Sequence, residues 1–402
     1  MARQQLPPQI KKIELERKER SKPVIRYQLT VDIGVDPETG KRKQLRKRFD
    51  TEEKARKALA EVQSKVKAGT YVHDHGVTVA EVIDSYLTSK HALKPSTASG
   101  YKVSLAPIRQ QLGDVPVQKL TRRHLDELIA VLRAGELPTE AGTARSPWKA
   151  RTVNQMLTVF SAALDNLVKE GTLVRNVAAL IDKLPDEREE SETWSEDEVE
   201  RFLLECRDDP YAHAWYLALS GLRRGEICGL KWDDINLEAK TLTIVRARVT
   251  HGKVTSEGTP KSKRSRRTLP LPDDLVRQLK AARKRQAADR LLLGEAWTDS
   301  GYVIVDQAGQ PLSPGALSSR WVHAVERAKV PQIRLHDARH TCATLMHLRN
   351  VPIAVIAAWL GHASAAFTLS RYAHSQDSAM AAAAELSPIV TLRDNSASGE
   401  GR

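Results

Sequence analysis

The chain has 402 residues, which is long for a single hydrophobic core and predicts two or three domains. Its 63 basic and 50 acidic residues give a formal net charge of +13, so we expect a polyanionic partner, nucleic acid before an acidic membrane surface. With 41% hydrophobic and 28% charged residues, the composition excludes a disordered or fibrous protein.

Cysteine usage and apolar patterning exclude further classes. The chain has three cysteines, Cys206, Cys228 and Cys342. An odd, widely spaced set without C-x-x-C argues against a disulfide framework and a thiolate zinc site, and suits a reducing cytoplasm. Cys228 and Cys342 lie in apolar helical patterns, which predicts buried, inert thiols. The N-terminus lacks the apolar core of a signal peptide. The longest uncharged stretch, 350–370, is interrupted at Gly361-His362, which predicts two short buried helices and no membrane span.

Residues 1–75 predict a small basic domain, with 19 basic and 11 acidic side chains. Alternating apolar and polar residues predict strands over 24–33 and 44–49. A turn at 36–40 (DPETG) joins them, and a helix capped by Thr51 follows. The cations of this region that could contact nucleic acid are Arg26, Lys41, Arg42, Lys43, Arg46 and Arg48. A solvated basic surface and a DNA-binding arm explain these cations equally well.

Residues 76–185 place apolar residues at helical spacing, which predicts four amphipathic helices that bury their stripes against one another. The first begins at a capping box formed by Thr78 and Glu81. The second covers about 96–112, and Pro107 is expected to kink or shorten it.

The third predicted helix ends at Pro138, and a polar loop occupies 135–147. The fourth places apolar side chains between 153 and 167 on one face. An acidic linker, 186–194, then indicates a domain boundary before a helix that opens with the capping box Ser195-x-x-Glu198.

Two motifs of the C-terminal half place cations beside turns. The first is SGLRRGE (220–226), which by itself is most simply a surface arginine paired with Glu226. The second, PKSKRSRR (260–267), lies between strand-like segments at 241–249 and 268–271. This arrangement predicts a hairpin with a cationic tip, and an ordinary charged loop is the alternative.

Two further motifs contain histidines. In HDARH (336–340), His336 and Arg339 share one face of a predicted helix. Metal binding through His336 and His340 is disfavoured, because no Glu follows His336 as the H-E-x-x-H pattern requires. The motif LGH (360–362) is followed ten residues after its histidine by Tyr372, whose commonest role would be half-buried packing.

The four motifs together resemble the tyrosine site-specific recombinase family, in particular phage and integrative-element integrases. The matching segments are G-L-R-R-G-E, P-K-S-K-R-S-R-R-T-L-P-L, H-D-A-R-H-T, and L-G-H followed by Tyr372. The resemblance covers nearly the whole chain and implies a multidomain α+β fold. It implies an arm-type DNA-binding domain with a small sheet and a helix (1–75), a helical core-binding domain (76–185), a mainly helical catalytic domain with a small antiparallel sheet (186–390), and a disordered tail (391–402).

The resemblance also assigns roles to single residues. It implies six catalytic residues: Arg223, Lys261, His336, Arg339, His362 and the nucleophile Tyr372. Lys263 is an alternative to Lys261 in a shifted register. Candidate DNA contacts outside the arm are Lys94, Lys102, Lys263 and Arg264.

The implied reaction is attack of Tyr372 on a DNA phosphodiester, which gives a 3′-phosphotyrosine and a free 5′-hydroxyl. Two arginines would hold the phosphate oxygens and Lys261 would protonate the leaving oxygen, so no metal, cofactor or ATP is expected. The implied partners are double-stranded DNA attachment sites and a homotetramer that acts through a Holliday junction, in the cytoplasm of a bacterial host and without a membrane. A host DNA-bending protein and an excisionase would be compatible with integration and excision.

Three points stay open at this level. Residues 377–386 are expected to dock on a neighbouring protomer, or to pack on their own chain. A non-catalytic DNA-binding protein with this fold is one alternative function. A strand-relaxing enzyme similar to type IB topoisomerases is another, although a separate arm domain favours the integrase.

Overall fold

The computed structural model describes residues 5–15, 24–35, 42–67, 76–185, 192–252, 254–258 and 266–362. Two compact units result, residues 1–187 and residues 188–402. The predicted turn at 36–40 and the predicted tail lie outside the described residues. Within the described ranges, no helix has both the length and the apolar character needed to cross a membrane.

The first unit begins with a three-stranded antiparallel sheet packed on one helix. Its elements are β1 (Ile10–Leu15), β2 (Val24–Val35), β3 (Arg42–Phe49) and α1 (Glu52–Lys67). The two predicted strands are confirmed as β2 and β3, which are slightly longer than predicted. Strand β1 was missed because its charged residues interrupt the apolar alternation. Ile10 pairs with Leu29, and both are buried against Ala55 and Leu59 of α1.

The four predicted helices of the first unit are confirmed. They are α2 (Val79–Ser89), α3 (Pro95–Leu112), α4 (Arg122–Ala134) and α5 (Ala150–Lys169). The Thr78–Glu81 capping box is formed as predicted. Helix α3 is not shortened by Pro107, whose ring is buried, so packing offsets the missing hydrogen bond. Helix α4 ends at Gly135 and not at Pro138, because Gly135 adopts a left-handed cap at φ +76°.

The second unit is mainly helical with small antiparallel sheets, so the predicted α+β class is confirmed. Its helices are α6 (Glu196–Glu205), α7 (Ala212–Leu219), α8 (Arg224–Gly229), α9 (Asp273–Leu293), α10 (Pro314–Ala328), α11 (Asp337–Leu348) and α12 (Ile353–Leu360). Its strands are β4 (Ile235–Asn236), β5 (Thr241–Ile244), β6 (Ala247–His251), β7 (Val254–Gly258) and β8 (Arg267–Pro270).

The prediction of one strand over 241–249 is wrong. Only β5 pairs with β8, whereas β6 pairs with β7 in a separate hairpin that turns at Gly252. The strands β5 and β6 are separated at Arg246, whose guanidinium forms an ion pair with Asp234. The cationic segment 259–265 therefore connects β7 to β8, although it lies outside the described residues.

Burial makes the three thiols poor nucleophiles, as the sequence predicted for Cys228 and Cys342. Cys206 and Cys228 are buried and Cys342 is half-buried, and all three are free. Burial raises the pKa of Cys206 and of Cys342 to about 11, and that of Cys228 to about 12.

An aromatic cluster fills the core of the second unit. The ring of Trp194 lies 4.9 Å from that of Phe202 and 5.4 Å from that of Trp321, measured between centroids. Trp194 also donates from Nε1 to the carbonyl of Pro331 at 2.8 Å. The residue predicted to end an acidic linker is thus 2% exposed and part of the core.

Trp194→Ala should lower the free energy of unfolding of the second unit by about 3–5 kcal/mol, because it leaves a cavity between Phe202 and Trp321. Urea unfolding followed by circular dichroism measures this change. Leu204→Ala on α6 is the control, since Leu204 is 62% exposed and should change stability by less than about 0.5 kcal/mol. Equal destabilisation of the two variants would contradict the prediction.

Candidate active site

Four of the six predicted catalytic residues lie within the described residues, and the structure brings them together. They are Arg223, His336, Arg339 and His362. Arg223 donates to the carbonyl of Gly361, directly before His362, and Arg339 donates to the carbonyl of Leu360 from the first turn after His336. Lys261, Lys263, Arg264 and Tyr372 lie outside the described residues, as does Lys41.

Arg223 is the residue that precedes helix α8. Its Nη1 donates to Oε1 of Glu226 at 2.8 Å, and its Nη2 donates to the carbonyl of Gly361 at 3.2 Å. Glu226 also accepts from the backbone N–H of Arg223 at 3.0 Å, so one carboxylate caps the helix and orients the guanidinium. The side chain of Arg223 keeps 35% of its surface exposed, which leaves it accessible to a phosphate.

Glu226 joins Arg223 to a second arginine, Arg267 at the start of β8. Arg267 Nη2 lies 3.0 Å from Oε2 of Glu226, and Arg267 Nε donates to the carbonyl of Trp359 at 2.6 Å. Burial alone would raise the pKa of Glu226, but the charge and hydrogen bonds of Arg267, then those of Arg223, lower it overall. The carboxylate is therefore charged although its side chain is only 3% exposed.

The sequence patterns gave little indication that Glu226 pairs with Arg267. The sequence indicates Glu226 only as the partner of a surface arginine, and it assigns no role to Arg267. The available signal was the position of Arg267 at the start of an apolar strand, where a charged side chain points either into the domain or into solvent.

Arg339 is buried on α11 and connects the loop before α8 to the end of α12. It donates to the carbonyls of Gly221 and Leu360 and is 2% exposed. Gly221 has φ +88°, and a Cβ there would lie 2.7 Å from Leu360 Cδ2 and 3.2 Å from Cys342 Sγ. Glycine is thus required at 221 for both its conformation and its close contacts.

Arginines from three elements converge on the end of helix α12. The carbonyls of Trp359, Leu360 and Gly361 each accept an N–H, from Arg267, Arg339 and Arg223 respectively. These are carbonyls that the helix itself leaves unpaired, at the end where its dipole is negative. Trp359 Nε1 additionally donates to the carbonyl of Ser220 at 2.8 Å.

The two predicted histidines are neutral in this environment. His336 directly precedes α11, and its ring meets that of His340 edge-on at a centroid distance of 5.3 Å. Burial and then the charge of Arg339 lower the pKa of His336. Burial, then the charges of Arg339 and Arg223, lower the pKa of His362 to about 4. A neutral imidazole offers one N–H donor and one lone pair.

Two of the predicted DNA-contacting cations, Arg46 and Arg48, lie on one face of the N-terminal sheet. Arg46 pairs with Thr30, and Arg48 pairs with Gln28. Because side chains alternate along a strand, this face is opposite the one that Leu29 buries. Arg46 and Arg48 are exposed there, whereas Arg26 on the same sheet forms an ion pair with Asp50.

Comparison with known proteins identifies the chain. The model of the phage integrase family matches residues 192–379, and that of an arm DNA-binding domain matches residues 16–66. A tyrosine recombinase XerC-like protein of Caldanaerobacter subterraneus subsp. tengcongensis is 29% identical over 371 residues, which covers 87% of this chain and 92% of that protein. The chain thus contains a tyrosine recombinase domain of the phage integrase family. It is accordingly an enzyme of site-specific DNA recombination, as the four motifs predicted.

Solved integrases have the same fold as this recombinase. The Tn1549 transposon integrase in complex with transposon right end DNA superposes with a TM-score of 0.63 at 20% identity, over 77% of this chain and 99% of that chain. The lambda integrase dimer bound to a COC′ core site superposes with a TM-score of 0.55 at 19% identity, over 92% of this chain and 96% of that chain.

The imidazole of His362 should titrate near pH 4 in the DNA-free recombinase, and not near the usual 6.5. Since the unfolded chain binds this proton first, the folded domain should lose stability as the pH falls from about 6.5 toward 4. NMR of histidine-labelled protein measures the midpoint, with His362→Gln used to assign the resonance. A midpoint near 6.5 would mean that burial and the arginines do not act on this ring.

Proposed function

We propose that this recombinase integrates and excises a phage or other mobile element by cutting and rejoining DNA attachment sites through a covalent bond to Tyr372. The observation that supports this proposal is the convergence of Arg223 and Arg339 with the neutral His336 and His362 at the end of α12. Tyr372 follows His362 by ten residues in the chain. A phosphate placed at this point would meet fixed positive charge on several sides.

The proposed step conserves atoms and charge. The phenolic oxygen of Tyr372 bonds to phosphorus while the bond to the 5′-oxygen breaks, which leaves a 3′-phosphotyrosine. The phenol loses its proton to a neutral imidazole or to water, and the 5′-oxygen takes a proton from Lys261, with Lys263 as the alternative donor. Arg223 and Arg339 stabilise the charge that develops on the non-bridging oxygens. Rejoining reverses the step with the 5′-hydroxyl of another strand.

Assembly on DNA follows from the same proposal. The lambda integrase structure contains a dimer on one core site. Exchange between two such duplexes would bring four protomers together, so we propose a homotetramer and a Holliday junction intermediate. Within each protomer, residues 1–75 would bind arm sites, 76–185 core sites, and 186–390 would catalyse, with 391–402 as a tail. A host DNA-bending protein, an excisionase and a bacterial cytoplasm remain predictions.

Tyr372→Phe and Arg223→Ala should each abolish formation of the covalent complex on a nicked suicide duplex that contains the attachment site. For Arg223→Ala we expect at least about a 10²-fold loss of rate, because one charge-stabilising donor disappears. Denaturing gels of reactions in EDTA measure the complex. Complex formation that requires magnesium would contradict the proposed chemistry.

Arg224→Ala is the matched control, because Arg224 is the next residue and donates to Ser318 Oγ at 2.9 Å. It should cut at near-parental rate. Arg339→Ala is less informative, since it leaves two buried carbonyls unpaired and should also destabilise the domain. Binding without cleavage by the parent would indicate a non-catalytic protein, and relaxation of any supercoiled plasmid would indicate a topoisomerase-like enzyme.

Replacing Arg46 and Arg48 with Ala should weaken binding to arm-site DNA and flatten its salt dependence. For each phosphate that is no longer neutralised, the slope of log K against log salt should fall by about one unit, because fewer counterions are released. Fluorescence anisotropy at several salt concentrations measures the slope. Arg56→Ala is the control, since its Nε donates to Glu52 on α1 at 2.8 Å. An unchanged slope would remove the sheet face from the proposed interface.

A further inference from the structure

Strand β7 ends shortly before the segment that contains the proposed general acid, and three side chains hold this end of the strand. We call Lys231, Glu257 and Tyr302 the Glu257 cluster. Tyr302 donates its hydroxyl proton to Glu257, and Lys231 Nζ lies 3.0 Å from Oε1 of Glu257. Lys231 Nζ also lies 4.8 Å from the centroid of the Tyr302 ring. Three mutually contacting groups thus hold one residue of β7.

The Glu257 cluster is fixed to the same short helix that positions Arg223. Lys231 follows the end of α8 by two residues and forms an antiparallel bridge with Tyr302. The backbone N–H of Val303 donates to the carbonyl of Leu230 at 3.0 Å, which holds that bridge against the end of α8. Movement of Glu257 relative to α8 would therefore break its contacts with both residues of the bridge, Lys231 and Tyr302.

The β6–β7 hairpin packs directly on α8 as well. A Cβ at Gly225 would lie 2.8 Å from the carbonyl oxygen of Arg248, and one at Gly229 would lie 3.0 Å from Ala247 Cα. Arg248 is the cross-strand partner of Glu257, and its guanidinium lies 5.1 Å from the centroid of the Tyr302 ring. The backbone contact and the Glu257 cluster fix the same hairpin to the same helix.

The position of the end of β7 restricts Lys261 more than Lys263, because Lys261 is closer to it in the sequence. Lys261 follows Gly258, the last residue of β7, by three residues, so their Cα atoms can be at most about 11 Å apart. Lys263 follows it by five residues, which allows about 18 Å, and lies nearer in sequence to Arg267. The end of β7 restricts Lys261 more tightly than Lys263.

We infer that Lys231, Glu257 and Tyr302 are positioning residues for the recombination reaction, because they fix, relative to Arg223, the strand end from which the lysine-bearing segment 259–265 continues. The inference rests on the proposed role of that lysine as the proton donor to the 5′-oxygen. At neutral pH the protonated phenol of Tyr302 is paired with the carboxylate of Glu257. Burial and then the bond to Glu257 raise the pKa of Tyr302 to about 12, while the bonds from Tyr302 and Lys231 lower the pKa of Glu257.

The test compares two nicked duplexes, one with the natural 5′-oxygen at the scissile phosphate and one with sulfur in its place. A thiolate leaves without a proton, since a thiol has a pKa of about 8.5. Loss of the proton donor should therefore slow cleavage of the oxygen duplex alone. Tyr302→Phe keeps the ring and removes the hydroxyl, and Glu257→Gln keeps the size and removes the charge.

We expect both variants to cut the oxygen duplex at least about tenfold more slowly than the parent, because a misplacement of about 1 Å can cost more than this. On the sulfur duplex they should stay within about twofold of the parent. Asp273→Asn is the control, because it removes the exposed Lys240–Asp273 pair (2.6 Å) elsewhere in the domain and should change neither rate.

Equal slowing on both duplexes would overturn the inference, because it would mean general damage or an effect through the arginines. Unchanged cleavage of the oxygen duplex would overturn it as well. Lys261→Ala and Lys263→Ala separate this failure from failure of the proposed function. If the sulfur duplex restores the cleavage rate of a lysine variant but not that of Tyr302→Phe, the proton-donor assignment holds and only the inference is wrong. If sulfur rescues neither lysine variant while Tyr372 is still required, the proton-donor assignment is wrong and the inference fails with it.

Discussion

Three consecutive carbonyls at the end of α12 hold the arrangement of this active site. Each accepts a hydrogen bond from an arginine on a different element, namely Arg223 before α8, Arg267 on β8 and Arg339 on α11. A helix terminus presents unpaired acceptors at the negative end of its dipole, so it suits guanidinium groups. Four segments that are distant in the chain are thereby fixed around one point.

Glu226 sets the charge balance at this point. It pairs with Arg267, which is 7% exposed, and with Arg223, which is 35% exposed. A buried guanidinium without a carboxylate would be costly, and one fully neutralised would attract no phosphate. Glu226 pairs with two of the three arginines and Arg339 donates to backbone carbonyls, so net positive charge remains next to the neutral histidines. Preorganised charge of this kind needs no rearrangement when the transition state forms.

Sequence patterns predicted the helices and strands better than the contacts between them. Capping boxes at Thr78 and Ser195 have local signatures, and the structure contains both. The hydrogen bonds from the arginines to the end of α12 have no such local signature. Every residue has a backbone carbonyl, and no side-chain type indicates which carbonyl accepts the bond. The β6–β7 hairpin was missed for a related reason. Its position depends on Gly225 and Gly229 of another element, and glycines without a turn pattern give no signal of close packing.

Helix α12, which precedes the proposed nucleophile in the sequence, rests on a small core of its own. Its described buried members are Ala343, Ile356 and Leu360, separate from the aromatic core of the domain. Little apolar area opposes opening of α12, so its amide protons should exchange with solvent sooner than those of α7, which lies in the main core. Local stability at this corner then depends on the three arginines, and a phosphate that binds them would tighten helix α12.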